Sequence, residues 1–174
     1  MKSMLYIHIP KCAGMAMREM FPLPRGVPVN ATHMTLDEWR EFFGKQFDSI
    51  RTITVVRHPC DRFLSAFSYL KQQTSEHPFW AHDKDERFAL AQYHNVNEAA
   101  LNAKHLLELP HFRPMTHWGV KDCDVVLRYE NIGRAMPGLP KRNASVHKMW
   151  RNVLTPAAVE SLTLAYWDDF CLIN

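Results

Sequence analysis

Two short apolar runs, each ending abruptly at a basic segment that carries proline, constrain this chain more than any other feature. Met4 to Ile9 is apolar apart from His8 and stops at Pro10-Lys11, and the β-branched run Ile50 to Val56 stops at Arg57-His58-Pro59. Runs of this length and composition, closed by turn residues, predict buried strands. The stretches around them have helical spacing instead. Met15 to Phe21 can start a short helix, and Thr35 with Glu38 has the spacing of a capping box ahead of an apolar stripe of Leu36, Trp39, Phe42 and Phe43. Behind Pro59, the residues Phe63, Leu64, Ala66, Phe67 and Leu70 repeat at helical spacing and leave Arg62, Ser65 and Tyr69 on another face. Asp85 to Leu109 reads as helix in two pieces, with Asn95 and Asn97 at the break. Cys123 to Leu127 is a third strand, a short strand is expected near Val29, and residues 133–145 read as loop. Thr155-Pro156 opens a last helix whose inward stripe is Val159, Leu162 and Tyr166.

Strands separated by helices predict an α/β fold with an open, mostly parallel sheet covered by helices, and such sheets place ligands beyond the carboxyl ends of their strands. Pro10 to Gly14, His33 and Arg57-His58-Pro59 all fall at that edge. With 174 residues, 47% of them hydrophobic, the expectation is a single domain over 1–174 with one sizeable core. The 21 basic and 18 acidic residues are scattered and leave a net charge of +3. That balance suits a small anionic ligand and argues against a nucleic-acid partner, which draws a concentrated basic stripe.

The N-terminal apolar run is too short for a signal peptide or a membrane span. Cys12, Cys60, Cys123 and Cys171 form no C-x-x-C pair, so reduced thiols and a cytoplasmic setting are expected. His105, His111 and His117, interrupted by Pro110 and Pro114, share no helical face, and no metal site is expected from that spacing.

A strand, a tight turn carrying Lys11 and Gly14, and a following helix together make an anion site, because backbone N–H groups converge there beside a full positive charge. The ATP-type loop does not fit, since Lys11 precedes the only glycine of the loop. The segment Tyr6-Ile7-His8-Ile9-Pro10-Lys11-Cys12-Ala13-Gly14 instead resembles the 5′-phosphosulfate loop of the sulfotransferases, in particular the carbohydrate sulfotransferases. Val55-Val56-Arg57-His58-Pro59-Cys60-Asp61-Arg62-Phe63-Leu64-Ser65-Ala66-Phe67 resembles that family's 3′-phosphate segment, with the family's interval from Arg57 to Ser65. His111-Phe112-Arg113-Pro114, Leu127-Arg128-Tyr129-Glu130-Asn131 and Ala165-Tyr166-Trp167-Asp168-Asp169-Phe170 extend the resemblance over nearly the whole chain.

The resemblance implies a P-loop-like, three-layer α/β/α fold and 3′-phosphoadenosine 5′-phosphosulfate as the sulfate donor, with no metal required. It implies donor binding by Lys11, Cys12, Ala13, Gly14, Met15, Ala16, Arg57 and Ser65, with Arg57 and Ser65 on the 3′-phosphate. Lys11 would also offset negative charge at the bridging oxygen as the S–O bond breaks. His33, in Thr32-His33-Met34-Thr35, resembles the family's histidine-bearing segment and is the candidate general base, with His8 and Glu38 as competitors. Asn143 and Ser145, after Lys141-Arg142, resemble a late loop that closes over the nucleotide. Arg62 either touches the donor or braces the loop, while Arg128, Tyr129 and Glu130 look architectural. The acceptor is expected to be a hydroxyl, on a sugar by the group resembled, chosen by segments 74–82 and 112–121 and by aromatic residues such as Phe79, Trp80, Trp118 and Trp150.

The chain departs from the family in its hydroxyls. Cys12 and Met15 stand where threonine is usual, Ala16 replaces a serine, and Met115 sits where glutamine often follows His-Phe-Arg-Pro. A lost hydrogen bond to a charged group costs roughly 1.5 to 3 kcal/mol, so two losses weaken donor binding by more than about a hundredfold. A noncatalytic relative that binds a nucleotide or an anionic partner is therefore the alternative reading. A P-loop kinase or triphosphatase is disfavoured by the missing Lys-Ser/Thr ending.

Overall fold

The computed structural model describes residues 3–27, 29–140 and 148–173. They divide into two compact units, one of Met1–His58, Pro114–Ala144 and Leu172–Asn174, the other of Pro59–Arg113 and Ser145–Cys171.

The first unit is built on a sheet of three strands in the order β1-β2-β3, with β1 at Ser3–Ile7, β2 at Ile50–Val56 and β3 at Val125–Arg128. Both pairings are parallel, with Leu5 opposite Thr52 and Ile7 opposite Thr54 on one side of β2, and Ile53 opposite Val125 and Val56 opposite Arg128 on the other. Parallel neighbours need crossover connections, and the helices between the strands supply them. This is the α/β class that the alternation of strands and helices predicts.

The central strand is buried from Thr52 to Val56, whereas β3 alternates between half-buried and exposed, as an edge strand does. The two threonines of β2 earn their burial through hydrogen bonds: Thr54 Oγ1 donates to the Ile7 carbonyl at 2.9 Å, and Thr52 donates from N–H (2.7 Å) and hydroxyl (2.8 Å) to the Asp124 carboxylate. Helix α1 covers Gly14–Met20 and α2 covers Leu36–Phe43. The predicted capping box opens α2: the Glu38 N–H donates to Thr35 Oγ1, and the Thr35 N–H donates back to the Glu38 carboxylate at 2.6 Å. Leu36 and Trp39 reach the core, while Phe42 of the same stripe stays 48% exposed. A single turn of helix, α6 (Ile132–Ala135), follows β3.

The short strand expected near Val29 does not form; Val29–His33 is a 3₁₀ turn. Its Ala31 carbonyl accepts the Met34 N–H at 3.2 Å, and its last two carbonyls are taken by side chains: Thr32 O accepts from Arg18 Nη2 at 2.7 Å, and His33 O accepts from Trp118 Nε1 at 3.4 Å. With those acceptors occupied, the segment has no need of a neighbouring strand.

The second unit is helical: α3 (Pro59–Gln72), α4 (Lys84–Ala91), α5 (Val96–Leu101), α7 (Pro156–Ala165) and α8 (Trp167–Ile173), the last ending in residues of the first unit. Asn95 caps α5, its side chain accepting from the N–H groups of Asn97 and Glu98, and Thr155 caps α7 ahead of Pro156. The predicted stripe of α3 is buried at Phe63, Leu64, Ala66, Phe67 and Leu70 and packs with Leu90, Leu106, Phe112, Leu162 and Tyr166. Each such side chain contributes about 1.5–3 kcal/mol by leaving water. The Phe63 and Phe112 rings meet edge-on at 5.0 Å, and the Tyr166 hydroxyl donates to the Phe112 carbonyl at 2.6 Å. Burial pushes the Tyr166 phenol up and keeps it a donor. Among the described residues, no helix is long and apolar enough to cross a membrane.

Candidate active site

The loop after β1 is held in a conformation that ordinary residues avoid. Lys11 and Ala13 both have left-handed backbone, with φ of 66° and 60°, and neither is glycine. Each costs roughly 1 kcal/mol, a strain that survives only where the surroundings enforce it. Two contacts do so: the Cys12 N–H closes a turn onto the Ile9 carbonyl at 3.3 Å, and the Tyr6 hydroxyl donates to the Cys12 carbonyl at 3.2 Å. Burial, reinforced by Cys12, holds the Tyr6 phenol well above its ordinary pKa and so keeps the proton it donates. Ala13 caps α1 without a side-chain hydrogen bond, and the first bond of the helix is Met17 N–H to Ala13 O. The amides of Gly14, Met15 and Ala16 therefore precede the ladder and face out of the helix start.

Gly14 is required by packing and not by its own φ. A Cβ there would lie 1.6 Å from Nε2 of His8, so the His8 ring occupies the space a side chain would need. His8 in turn carries His33: their ring centroids are 4.4 Å apart and tilted by 35°. His33 reaches the loop from the 3₁₀ turn that Arg18 and Trp118 pin, and its own side chain is exposed. Arg18 lies with its guanidinium 5.8 Å from the centre of the Tyr6 ring, and burial lowers its pKa.

The Arg57 side chain, 6% exposed, comes to the same loop from the end of β2. Its Nη1 donates to the Lys11 carbonyl at 3.1 Å, and its guanidinium lies 4.2 Å over the Tyr129 ring. A carbonyl and an aromatic face orient a guanidinium while adding no negative charge. Glu130, beside Tyr129, accepts the His58 N–H at 2.8 Å and fixes the backbone just beyond Arg57. Lys11 and Arg57, joined by no obvious sequence relation, are thus brought to one loop. The sequence model of the sulfotransferase family matches residues 1–142, a span that includes this loop, β2 and β3.

The chain belongs to the sulfotransferase family. Comparison with curated proteins and with solved structures returns no match. The chemistry of this family is sulfuryl transfer.

Arg57 meets the Lys11 backbone, and His33 and Gly14 both meet the His8 ring. Cys12 and Ala16 do not present side chains to a ligand: both are buried, at 0% and 5%, and the Cys12 thiol points inward to Met115 Sδ at 3.9 Å. The expectation that a threonine hydroxyl is lost from the ligand side at Cys12 is corrected accordingly, because this position faces the core. Met15 is 47% exposed at the first turn of α1, and there the missing hydroxyl is a true departure. Ser65 lies in the second unit on α3, 2% exposed, and Arg62 beside it donates to the His111 carbonyl at 3.3 Å, which braces that segment. Asn143 and Ser145 lie outside the described residues.

Other sequence readings change as well. The Glu38 carboxylate is occupied by the capping box, which removes its case as a base. Trp118 is core at 2% exposure, and Phe112, Met115, Trp118 and Val120 are all buried, so 112–121 is more than a surface loop. Trp80 carries Arg87 over its face at 3.3 Å. Tyr129, which the sequence marks as architectural, lies under the Arg57 guanidinium, and Met115, which the sequence marks as a departure from the family, meets Cys12; only their neighbours in space reveal these contacts.

The second unit has its own polar cluster. Asp83, Glu86 and His111 bring ligating atoms within 4.8 Å of one another, a convergence that histidine spacing did not suggest. The carboxylate oxygens already accept hydrogen bonds: Asp83 from Tyr69, Gln73 and His82, and Glu86 from the His111 N–H and ring Nδ1 at 2.9 and 2.7 Å. Burial pushes the Asp83 carboxyl up, and the bonds from His82, Gln73 and Tyr69 outweigh it, leaving a lowered pKa. A depression of about 450 Å³ on this unit, bordered by Leu101, Lys104, His105, Glu160 and Leu164, carries none of the donor-binding or catalytic residues expected from the sequence.

Proposed function

We propose that this domain binds 3′-phosphoadenosine 5′-phosphosulfate and transfers its sulfuryl group to an acceptor hydroxyl, on a carbohydrate, with His33 as general base. The observation that carries the reading is the Arg57 guanidinium anchored on the Lys11 carbonyl at 3.1 Å, which brings the guanidinium at the end of β2 to the backbone of the loop that bears Lys11. A donor with phosphate at two ends suits a site with a charged group for each.

Lys11 and the amides of Gly14, Met15 and Ala16 hold the 5′-phosphosulfate end, and Arg57 holds the 3′-phosphate. The donor supplies an activated sulfuryl group whose departure leaves negative charge on the bridging oxygen, and the Lys11 ammonium is there to offset it. His33 takes the proton of the acceptor hydroxyl; the His8 ring behind it fixes its approach to the loop. The reduced cytoplasm expected from the cysteine pattern is part of the proposal.

A second reading keeps the binding and drops the transfer. It is favoured by Met15, whose exposed thioether side chain gives no hydroxyl where the family has one.

Calorimetry with adenosine 3′,5′-bisphosphate and with ATP tests the ligand, the proposal requiring the bisphosphate to bind more tightly. Transfer of labelled sulfate to a panel of glycans and small alcohols then separates the two readings. Lys11→Ala is expected to lower transfer by about a hundredfold to a thousandfold, and His33→Ala by at least about a hundredfold at saturating substrates. Full turnover in His33→Ala removes His33 as the base; binding without transfer to any acceptor selects the second reading.

A further inference from the structure

Two residues that depart from the family pattern, Cys12 and Met115, touch each other across a separation of 103 in sequence. Met115 starts the 3₁₀ turn Met115–Trp118 and is 0% exposed. Its Sδ accepts the Cys12 thiol at 3.9 Å and the Arg57 backbone N–H at 3.5 Å. One thioether therefore receives a donor from the segment bearing Lys11 and another from the segment bearing Arg57. Both donors sit where regular structure has ended. Arg57 follows the last residue of β2, whose pairing with β3 closes at Val56 opposite Arg128. Cys12 lies between the two left-handed residues of the loop.

We propose that Met115 is a positioning residue, which with Cys12 as its partner sets the spacing between the Lys11 loop and the Arg57 strand end; this rests on the donor reading above. The chemistry supports a pair and not two separate losses. A thiol and a thioether match each other as soft, weakly polar groups in a dry site. A hydroxyl at 12 and an amide at 115 would match each other equally, the amide oxygen taking the Arg57 N–H and the amide nitrogen donating to the hydroxyl. Mixed combinations strand a strong polar group against a weak partner, which is costly when buried. The two departures are thus coupled, and neither weakens the ligand side of the site.

The experiment combines amide hydrogen exchange with titration by adenosine 3′,5′-bisphosphate. Met115→Leu keeps the apolar volume and deletes the acceptor. Exchange at the Arg57 amide is expected to quicken about tenfold while the interior amides of β2 stay within about twofold, with the dissociation constant rising about fivefold. Plain core packing would loosen all of β2 together. Met115→Gln alone is expected to weaken binding about tenfold, and Cys12→Thr with Met115→Gln to recover to within about threefold of the parent. Unchanged exchange at Arg57 in Met115→Leu overturns the proposal, as does a double variant whose losses simply add. A parent protein that does not bind the bisphosphate overturns the donor reading instead, and the exchange result still decides whether the sulfur joins the two segments.

Discussion

The two units differ in where they keep their unusual features. Among the described residues every positive φ lies in the first unit, at Lys11, Ala13, Gly26, Gly44, Gly119 and Gly138, and the second unit has none. The second unit instead brings together a polar cluster, buried Asp83 and Glu86 with half-buried His111, at the start of α4 and in the turn at His111. In the loop after β1 the strain is in the chain, at Lys11 and Ala13. In the cluster the charges turn toward each other. Titratable groups close together are thus not by themselves a reactive site; what matters is whether their hydrogen-bonding capacity is already consumed.

That contrast can be broken most forcefully at Asp83. Asp83→Ala removes the acceptor of Tyr69, Gln73 and His82 and is expected to cost about 3 kcal/mol in chemical denaturation, as loss of one partner from a buried ionic network does. It should leave bisphosphate affinity in the folded protein within about twofold, by calorimetry well below the unfolding temperature. The sign with pH follows from the lowered Asp83 pKa. The folded state binds this proton less readily than the unfolded chain, so the stabilisation is complete above the unfolded carboxylate value of about 3.9 and is lost as pH falls toward the folded one. Acid titration of stability should lose part of its slope in Asp83→Ala.

Gly14→Ala attacks the first unit in the opposite way. The added methyl must displace the His8 ring, at an expected cost of about 2 kcal/mol. Because His8 carries His33, transfer should fall further than stability does, and turnover compared with the thermal midpoint would expose the difference. Equal, mild losses in both would mean that the loop does not depend on the His8 contact. The smallest effect is expected at Glu38→Gln, which keeps the reciprocal hydrogen bonds of the capping box. Stability should change by less than about 0.5 kcal/mol and the pH profile of transfer should stay the same. A lost acidic limb in that profile would return Glu38 to consideration as the base.

How much was legible follows the range of the interactions. The run Ile50 to Val56 matches β2 residue for residue, and the caps at Thr35, Asn95 and Thr155 form where their spacing puts them. These signals are local: β-branching, a cap three residues ahead of its partner, a proline at a first turn. The strand expected near Val29 failed because its acceptors are taken by Arg18 and Trp118, and the Trp118 contact spans a separation of 85. Tyr129 looked architectural until Arg57 was found over its ring. Cys12 and Met115 looked like two lost hydrogen bonds until they were found to be one contact.

By itself the sequence determined the three strands that form, the capped helix starts at Thr35, Asn95 and Thr155, the two cation-bearing segments and, through their pattern, the family. Only the tertiary structure decided that Arg57 leans on the Lys11 loop, that His8 seats His33 against it, and that Asp83, Glu86 and His111 form a closed network. The reason is physical. Backbone propensities and caps act over a few residues and leave a trace in the order of side chains, whereas charge pairing and packing act through space between residues far apart in the chain, and a single sequence keeps no record of which ones will meet.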